Sequence, residues 1–531
     1  MKNRLAPKPH RSTTTPEQTM APHHDSKRVA KNTLFLYLRT LFVMAISIFT
    51  SRIILEALGV DDYGIYNAVG GFVAMFSMLS GTLVAASQRF IAFELGKPEP
   101  DIRKVFSTTV SVHLFLSAII LILFETVGIW FLNCEMNIAA ERMPAANWVY
   151  QCSVLTFLIN IISIPYNAAI IAYEKMAAFA YISIFEVVAK LGCVYALFII
   201  AFDSLIVYAI FMMLVAVILR MIYGIYCTRN FPLCRYNFSF DKNTFREMLG
   251  FSGWNFIGSI ATNLNGHGIN ILTNLFFGVA LNAARGLANQ IDSAINTFVN
   301  NFLMAITPQI TKSYAAKDFA YINRIIIAGT KYSFFLLCFI SLPVCLNTEY
   351  ILGVWLKEVP EFTADFVRLG ILFSMCQTLS QCLYRTMLAS GKIKKYQIVV
   401  GGLSILAFPA AYIFFYIGLP ATWGYWAMII FSGICLIARL RLLHDILPDF
   451  STKRFCTDAL LPIVCSIVPV VLSTYYIHTR VEQTDILSFI SESMGCIILT
   501  GIFIWIFGLT RLERKECMTS IRNKIGGLRH D

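Results

Sequence analysis

Long apolar stretches, separated by short hydrophilic loops, fill most of this chain. Some fourteen of them, each about 20 residues long, lie between Leu34 and Leu509. An apolar run of 18 or more residues matches the roughly 30 Å hydrocarbon core of a bilayer. The predicted spans are residues 34–58, 64–93, 105–132, 147–172, 176–201, 204–227, 250–279, 285–311, 324–346, 363–389, 396–417, 423–443, 456–477 and 486–510. The pattern therefore predicts an all-α polytopic membrane protein with about 14 transmembrane helices.

Charged residues separate by sign between the two sets of loops. If the spans alternate from a cytoplasmic N-terminus, most of the 43 Lys and Arg lie on cytoplasmic segments, and the opposite loops carry the acids. This is the positive-inside pattern, and it predicts that both termini are cytoplasmic. The net charge of +12 then reflects orientation and contact with anionic membrane lipids, and we expect no nucleic acid partner.

Composition and motifs argue against an enzyme. Only 14 % of the residues are charged, against about 25 % in a soluble domain, and no predicted loop is longer than roughly 20 residues. The sequence contains no P-loop, GxGxxG, GxSxG or HExxH motif. Its 14 cysteines form neither a CxxC pair nor a zinc-binding pattern. We therefore expect no catalytic residues, no metal site and no cofactor.

Two parts of the chain look related. A span ends at Gly59 in the first and at Gly278 in the second, and Lys97 and Lys104 lie 220 residues before Lys317 and Arg324. Both copies start on the same side of the membrane, which predicts a parallel repeat with a cleft between two six-helix bundles. We expect a disordered cytoplasmic tail (1–30), an N-terminal bundle (31–227), a cytoplasmic connector (228–248), a C-terminal bundle (249–447), and two extra helices with a basic tail (448–531).

Polar side chains form two stripes inside the seventh and eighth spans. The first stripe holds Asn263, His267, Asn270 and Asn274, and the second holds Arg285, Asn289, Asp292, Asn296 and Asn300. Spacings of three and four residues place each stripe on one helix face. Single asparagines of this kind commonly form hydrogen bonds between helices. The two stripes together favour a water-filled cavity.

The first half also carries ionisable residues within its spans. Glu186 and Lys190 are one turn apart and can neutralise each other, and His113 is expected to be packed and hydrogen-bonded. Arg52 and Arg89 lie near the membrane surfaces, where either side chain could simply reach water. Read together with Arg285, they could instead form a cationic lining suited to a diphosphate.

The chain resembles the polysaccharide-transport flippases, within the superfamily that includes the MATE drug exporters. The resemblance rests on two motifs together with the number of spans and the length of the chain. The motifs are Ser51-Arg52-Ile53 with Leu58-Gly59 and Tyr63-Gly64-Ile65-Tyr66, and Asn274-Leu275-Phe276-Phe277-Gly278 with Asn282-Ala283-Ala284-Arg285-Gly286. It implies a V-shaped, MATE-like transporter with alternating access in the cytoplasmic (inner) membrane.

The resemblance also implies a substrate. Such proteins move a polyprenyl-diphosphate-linked oligosaccharide for O-antigen, capsule or exopolysaccharide assembly, alongside a glycan polymerase and other biosynthesis proteins. Arg52, Arg89 and Arg285 are the candidates for the diphosphate. Our hypothesis is that Asn263, His267, Asn270, Asn289 and Asn296 bind sugar hydroxyls, and that Asp292 and His267 couple an ion or proton. A MATE-like antiporter for drugs or metabolites is the alternative.

Overall fold

The computed structural model describes residues 26–515 and 518, apart from residues 75, 135, 137, 238–239, 357–358, 448 and 480–485. The side chains of some helix residues, among them Arg52 and His267, also lie outside the described part. The predicted N-terminal tail lies outside it as far as residue 25, and the first helix begins at Ser26. The C-terminal tail from residue 519 lies outside it as well.

All regular secondary structure in the described ranges is helical. The helices are α1 (Ser26–Ala74), α2 (Ser77–Leu95), α3 (Ile102–Cys134), α4 (Met143–Ala172), α5 (Met176–Leu197), α6 (Ser204–Asn230), α7 (Lys242–Asn263), α8 (Ile269–Phe277), α9 (Val279–Ala315), α10 (Phe319–Leu346), α11 (Thr348–Trp355), α12 (Thr363–Ser390), α13 (Ile393–Tyr416), α14 (Trp423–His444), α15 (Thr452–His478) and α16 (Ile486–Gly508). A π-helical turn, Leu264–Gly268, joins α7 to α8.

The helices pack in two groups that follow the order of the chain. Helices α1 to α6 contact one another and form the first half, and α7 to α14 form the second half. Helices α15 and α16 pack on each other and on α10. Lysine and arginine are concentrated on the side where α2, α9 and α12 end, which we call the basic side; the opposite side is the acidic side.

Ten helices in the described part of the chain are long and apolar enough to cross a membrane: α3 to α6, α10 and α12 to α16. They correspond to ten of the fourteen predicted spans. The other four predictions are the first two spans of each half. Residues 64–93 divide between the end of α1 and α2, and residues 250–279 contain the π-helical turn. The chain is therefore a helical multi-pass membrane protein, and the count of fourteen stays a prediction.

Aspartates set the start of several helices. Asp101, Asp203, Asp241 and Asp318 each accept hydrogen bonds from backbone N–H groups in the first turn of α3, α6, α7 and α10. A hydrogen bond from Thr244 holds the pKa of Asp241 below its usual range. Because α6 continues to Asn230 and α7 already begins at Lys242, the segment between them is shorter than the predicted connector.

The same backbone break occurs once in each half. Gly59 has φ 75° and ψ 173°, and Gly278 has φ 84° and ψ −178°. Only glycine adopts these angles without strain, which explains why the break falls on this residue type in both places. These are the two glycines at which the corresponding spans of the repeat end, so the repeated motif is also a repeated backbone conformation.

Candidate functional site

A cavity of about 660 Å³ lies inside the second half. Helices α7, α8, α9, α12, α13 and α14 provide its walls, and it is referred to below as the C-half cavity. Eight side-chain amides line it: Asn265, Asn270, Asn289, Asn296, Asn300, Gln377, Gln381 and Gln397. Its charged lining residues are Arg285, Asp292 and Arg439. The polar stripe predicted on α9, from Arg285 to Asn300, lies entirely on its wall.

Arg285 is the most deeply buried charge of the cavity wall, with only 2 % of its surface exposed. Its Nη1 donates to Thr273 Oγ1 at 3.3 Å, its Nη2 lies 3.7 Å from Met428 Sδ, and its guanidinium lies 4.9 Å from the Tyr425 ring centre. Its Nε has no hydrogen-bond partner. A buried donor without a partner needs an explanation, and a bound oxygen-rich or anionic group would supply one.

A short hydrogen-bond chain connects α9 to α12 in the middle of the cavity wall. Ser374 Oγ donates to Asp292 Oδ1 at 2.6 Å, and Asn296 Nδ2 donates to Ser374 Oγ at 2.7 Å. Asn296 also donates to the Asp292 carbonyl, 2.9 Å away. The neighbouring Tyr425 hydroxyl donates to Asn289 Oδ1 at 3.1 Å. The aspartate therefore has a fixed position at the edge of the cavity.

The first predicted stripe divides, because the helix does not keep an α-helical period. The π-helical turn Leu264–Gly268 adds one residue and rotates everything after it. Asn270 lines the cavity, and so does Asn265, which sequence reasoning missed. Asn263 faces the first half instead, where its Nδ2 lies 3.0 Å from Met78 Sδ and donates to the Ser259 carbonyl at 2.8 Å.

Two of the three predicted arginines, Arg285 and Arg89, lie at different places in the structure. Arg285 lies near the start of α9 on the acidic side. Arg89 lies near the end of α2 on the basic side, where its Nε donates to the Ala389 carbonyl at 3.4 Å. The Arg52 and His267 side chains lie outside the described part of the structure. The cavity thus contains Arg285 and Asp292 but not Arg89.

Sequence reasoning also missed polar residues on α12, α13 and α14. Ser374, Gln377, Gln381 and Tyr384 line the cavity, and their spacing of three and four residues is the same signal that was read on α9. Arg439 lines it from α14 and donates through Nε to Tyr396 Oη at 3.0 Å. A lone arginine near a helix end gave no periodic pattern to follow.

Three ionisable residues that the sequence analysis singled out in the first half, Glu186, Lys190 and His113, are paired or packed. Glu186 and Lys190 form an ion pair of 2.6 Å. His113 is fully buried, with Nδ1 2.8 Å from the Thr109 carbonyl and Nε2 3.3 Å from Ser87 Oγ. His113 is packed and hydrogen-bonded as predicted, and Glu186 and Lys190 form the pair that their spacing allows.

Residues 29–314 match the family described as polysaccharide biosynthesis protein. None of the curated proteins matches the chain.

Solved structures share the fold. A MATE protein in complex with MaL6 is 13 % identical with a TM-score of 0.66, over 80 % of this chain and 98 % of that one. A MOP superfamily transporter from Pyrococcus furiosus is 12 % identical with a TM-score of 0.67, over 80 % and 97 %. The bent form of the Vibrio cholerae MATE transporter VcmN is 14 % identical with a TM-score of 0.65, over 82 % and 98 %. At these identities the likeness shows the fold alone, which is that of the MATE transporters.

Proposed function

Because the chain belongs to the polysaccharide biosynthesis protein family and has the fold of MOP superfamily transporters, we propose that it is a flippase. Its substrate would be a polyprenyl-diphosphate-linked oligosaccharide, moved across the inner (cytoplasmic) membrane by alternating access for O-antigen, capsule or exopolysaccharide assembly. The basic side then faces the cytoplasm, with both termini, and a glycan polymerase or other biosynthesis protein is the expected partner.

The observation that carries the proposal is the amide-rich lining of the C-half cavity. Sugar hydroxyls lose their hydration when they enter a membrane, and each needs a donor or an acceptor in its place. Asparagine and glutamine supply both from one side chain. The orphaned Asn265 and Asn270 Oδ1 atoms are free to accept such hydrogen bonds. Tyr384, Tyr396 and Tyr425 add ring faces to the lining.

The diphosphate needs cationic donors. Arg285 fits this need because its buried guanidinium keeps one donor without a partner. Arg52 and Arg89 remain candidates for a different stage of the cycle, since Arg89 lies at the basic side in this conformation. Asp292 and His267 remain the candidates for coupling an ion or proton, and Asn263, Asn289 and Asn296 stay proposed sugar contacts.

A MATE-like antiporter is the second candidate, because drug exporters share this fold. Asp292 is the feature that favours it, since a cationic drug would need an acidic contact. Two arginines in the same lining oppose it. In the Pyrococcus furiosus transporter, a reversed polarity of the binding pocket has been taken to suggest a different function. Pocket charge is therefore a reasonable guide within this fold.

The test uses a strain that lacks its own flippase and displays no surface glycan. The wild-type chain should restore display, Arg285→Ala should reduce it at least about tenfold, and Arg285→Lys should restore part of it, because one charged hydrogen bond contributes about 1.5–3 kcal/mol. The double variant of Arg52 and Arg285 to Ala should abolish display. Arg368→Ala is the matched control, since Arg368 pairs with Glu349 at 2.7 Å on the acidic side.

Drug susceptibility measured on the same strains separates the two candidates. Normal glycan display by the double variant, at wild-type membrane levels, would refute the cationic site. Drug resistance conferred by the wild-type chain without glycan display would favour the antiporter instead.

A further inference from the structure

Several contacts between the two halves lie on the basic side. One of them is made by Arg89 of α2, whose Nε donates to the Ala389 carbonyl at the end of α12. The guanidinium also lies 5.9 Å from the ring centre of Phe251 on α7. A Cβ at Gly391, just after α12, would overlap with the Arg89 guanidinium. We refer to this as the Arg89 contact.

The second contact joins α9 to the turn between α4 and α5. Lys312 Nζ lies 2.8 Å from Glu174 Oε1, and Gln309 Nε2 donates to Glu174 Oε2 at 3.5 Å. Glu174 is 7 % exposed, so its carboxylate is largely removed from water, while the Lys312 side chain is 24 % exposed. The Lys312 backbone packs closely against Gly96, at the end of α2. We refer to this as the Glu174 contact.

The two contacts are equivalent under the repeat. In each, the second helix of one half reaches the turn between the fourth and fifth helices of the other half. Both turns have a residue with positive φ, Glu174 at 58° and Gly391 at 75°, and a lysine follows each of them. The 220-residue shift of the repeat also pairs Arg89 with Gln309. The two halves are therefore joined at two places on the basic side. At one place the first half supplies the helix and the second half the turn, and at the other place these roles are exchanged.

Helix α1 also contacts the second half, at α9. We call this interface between the two halves the seam. On its side of the seam, α1 carries polar atoms without partners. Thr33 and Tyr37 each bury a hydroxyl that has no hydrogen bond, and Thr40, on the same face, accepts from Asn301 Nδ2 of α9 at 2.7 Å. The Tyr37 ring packs 5.7 Å from that of Phe298, also on α9. A permanently closed seam gives no reason for unpaired hydroxyls at this position, whereas a seam that opens to water does.

We propose that the Arg89 and Glu174 contacts are a two-part gate that holds the transporter closed on its basic side, and that both break together when the halves rotate apart. This inference rests on the proposed alternating access. It gives Arg89 a gating role in this conformation. It also explains why Glu174 keeps a side chain in a backbone conformation where the equivalent position has glycine: the carboxylate is needed for Lys312.

The test measures how readily the seam opens, through the labelling rate of a cysteine placed in it. A cysteine replaces Asn301, which is 5 % exposed, in a chain whose exposed Cys134, Cys456 and Cys465, together with Cys517 of the C-terminal tail, are changed to serine. A membrane-impermeant maleimide is applied to inverted vesicles, and the rate of labelling at position 301 is measured. The fully buried native Cys338 serves as the folding control, because it reacts only if the second half unfolds.

Glu174→Gln and Gly391→Ala should each raise the labelling rate about tenfold, as expected for loss of a charged hydrogen bond. Exchanging the charges, Glu174→Lys with Lys312→Glu, should return the rate toward that of the parent. Lys317→Gln is the matched control on the same side: Lys317 also has a positive φ, and it is exposed.

An unchanged labelling rate in both single variants, with Cys338 protected, would overturn the gate. Failure of the charge exchange to restore the rate would equally overturn the pairing of Glu174 with Lys312. If the variants change the labelling but the wild-type chain restores no glycan display, the proposed substrate fails and the gate stands.

Discussion

The Ser374→Ala variant tests whether the C-half cavity contains water. The Ser374 hydroxyl donates to Asp292 and accepts from Asn296, and these bonds are 2.6 and 2.7 Å long. Alanine removes both bonds and leaves a carboxylate oxygen and an amide proton without their partner. The cost of that loss depends on what can replace the hydroxyl.

A dry and a wet cavity predict different losses of stability for this variant. In a dry interior the charged hydrogen bond contributes about 1.5–3 kcal/mol and the neutral one about 1 kcal/mol, so the variant should lose roughly 2–4 kcal/mol. A bridging water costs at most about 2 kcal/mol in entropy and often much less. The cavity of about 660 Å³ has room for about twenty waters at some 30 Å³ each. We therefore expect a loss below about 1 kcal/mol.

The assay is unfolding of the purified protein by SDS in mixed micelles, with Ser432→Ala as the matched control. Ser432 is 5 % exposed and its hydroxyl has no partner, so its replacement should be nearly neutral. Glycan display by Ser374→Ala should nevertheless fall, because Asp292 loses the group that positions it. A loss of 2 kcal/mol or more relative to the control would mean a dry cavity, and the sugar-binding proposal would fail with it.

Three further predictions concern stability. Gly268→Ala should cost about 1–3 kcal/mol in SDS unfolding, because its Cβ would lie 2.9 Å from a phenylalanine ring, whereas Gly266→Ala enters open space and should be neutral. Lys331→Met should cost about 3–5 kcal/mol by the same assay and speed proteolysis of the C-terminus, because this 1 % exposed lysine pairs with a carboxylate just beyond α16. Burial alone would raise the pKa of Asp203, but hydrogen bonds from Arg142 and the α6 N-terminus lower it below its ordinary value. The stability from this pair should be complete above about pH 4 and lost as the pH falls further, in a melting-temperature series that Arg142→Gln flattens.

The length of the apolar runs was sufficient to predict a helical multi-pass membrane protein, because each span must bury about 20 residues in lipid whatever its neighbours are. The MATE-like fold was expected from the family resemblance. The repeat was visible because glycine is nearly obligatory at the break, as Gly59 and Gly278 show. The α9 stripe was readable because one uninterrupted α-helix keeps its period. The stripe on α7 and α8 divides where the π-helical turn changes that period, so Asn265 was missed and Asn263 faces the first half rather than the C-half cavity.

Contacts between distant helices could not be read from the chain. Arg89 was grouped with Arg285 by charge alone, although the predicted spans 64–93 and 285–311 already place the two residues near opposite surfaces of the membrane. The Glu174 contact joins residues 138 positions apart, and neither member belongs to a stripe. Only the positions of the turns, which depend on how the halves dock, bring them together.

The two halves share a backbone pattern but not an interior. The part of the first half that the repeat aligns with the α9 stripe holds Tyr66, Val69, Phe72 and Phe76. Phe76 packs 4.8 Å from Phe124, and Phe72 stacks 4.9 Å from Phe131, so aromatic rings fill the space there. In the second half, amides surround a cavity at the corresponding place. Packed rings resist deformation, whereas a polar cavity can exchange water for hydroxyl groups. Under the proposed function, the second half therefore recognises the solute, and the first half is the rigid body against which the two gate contacts close.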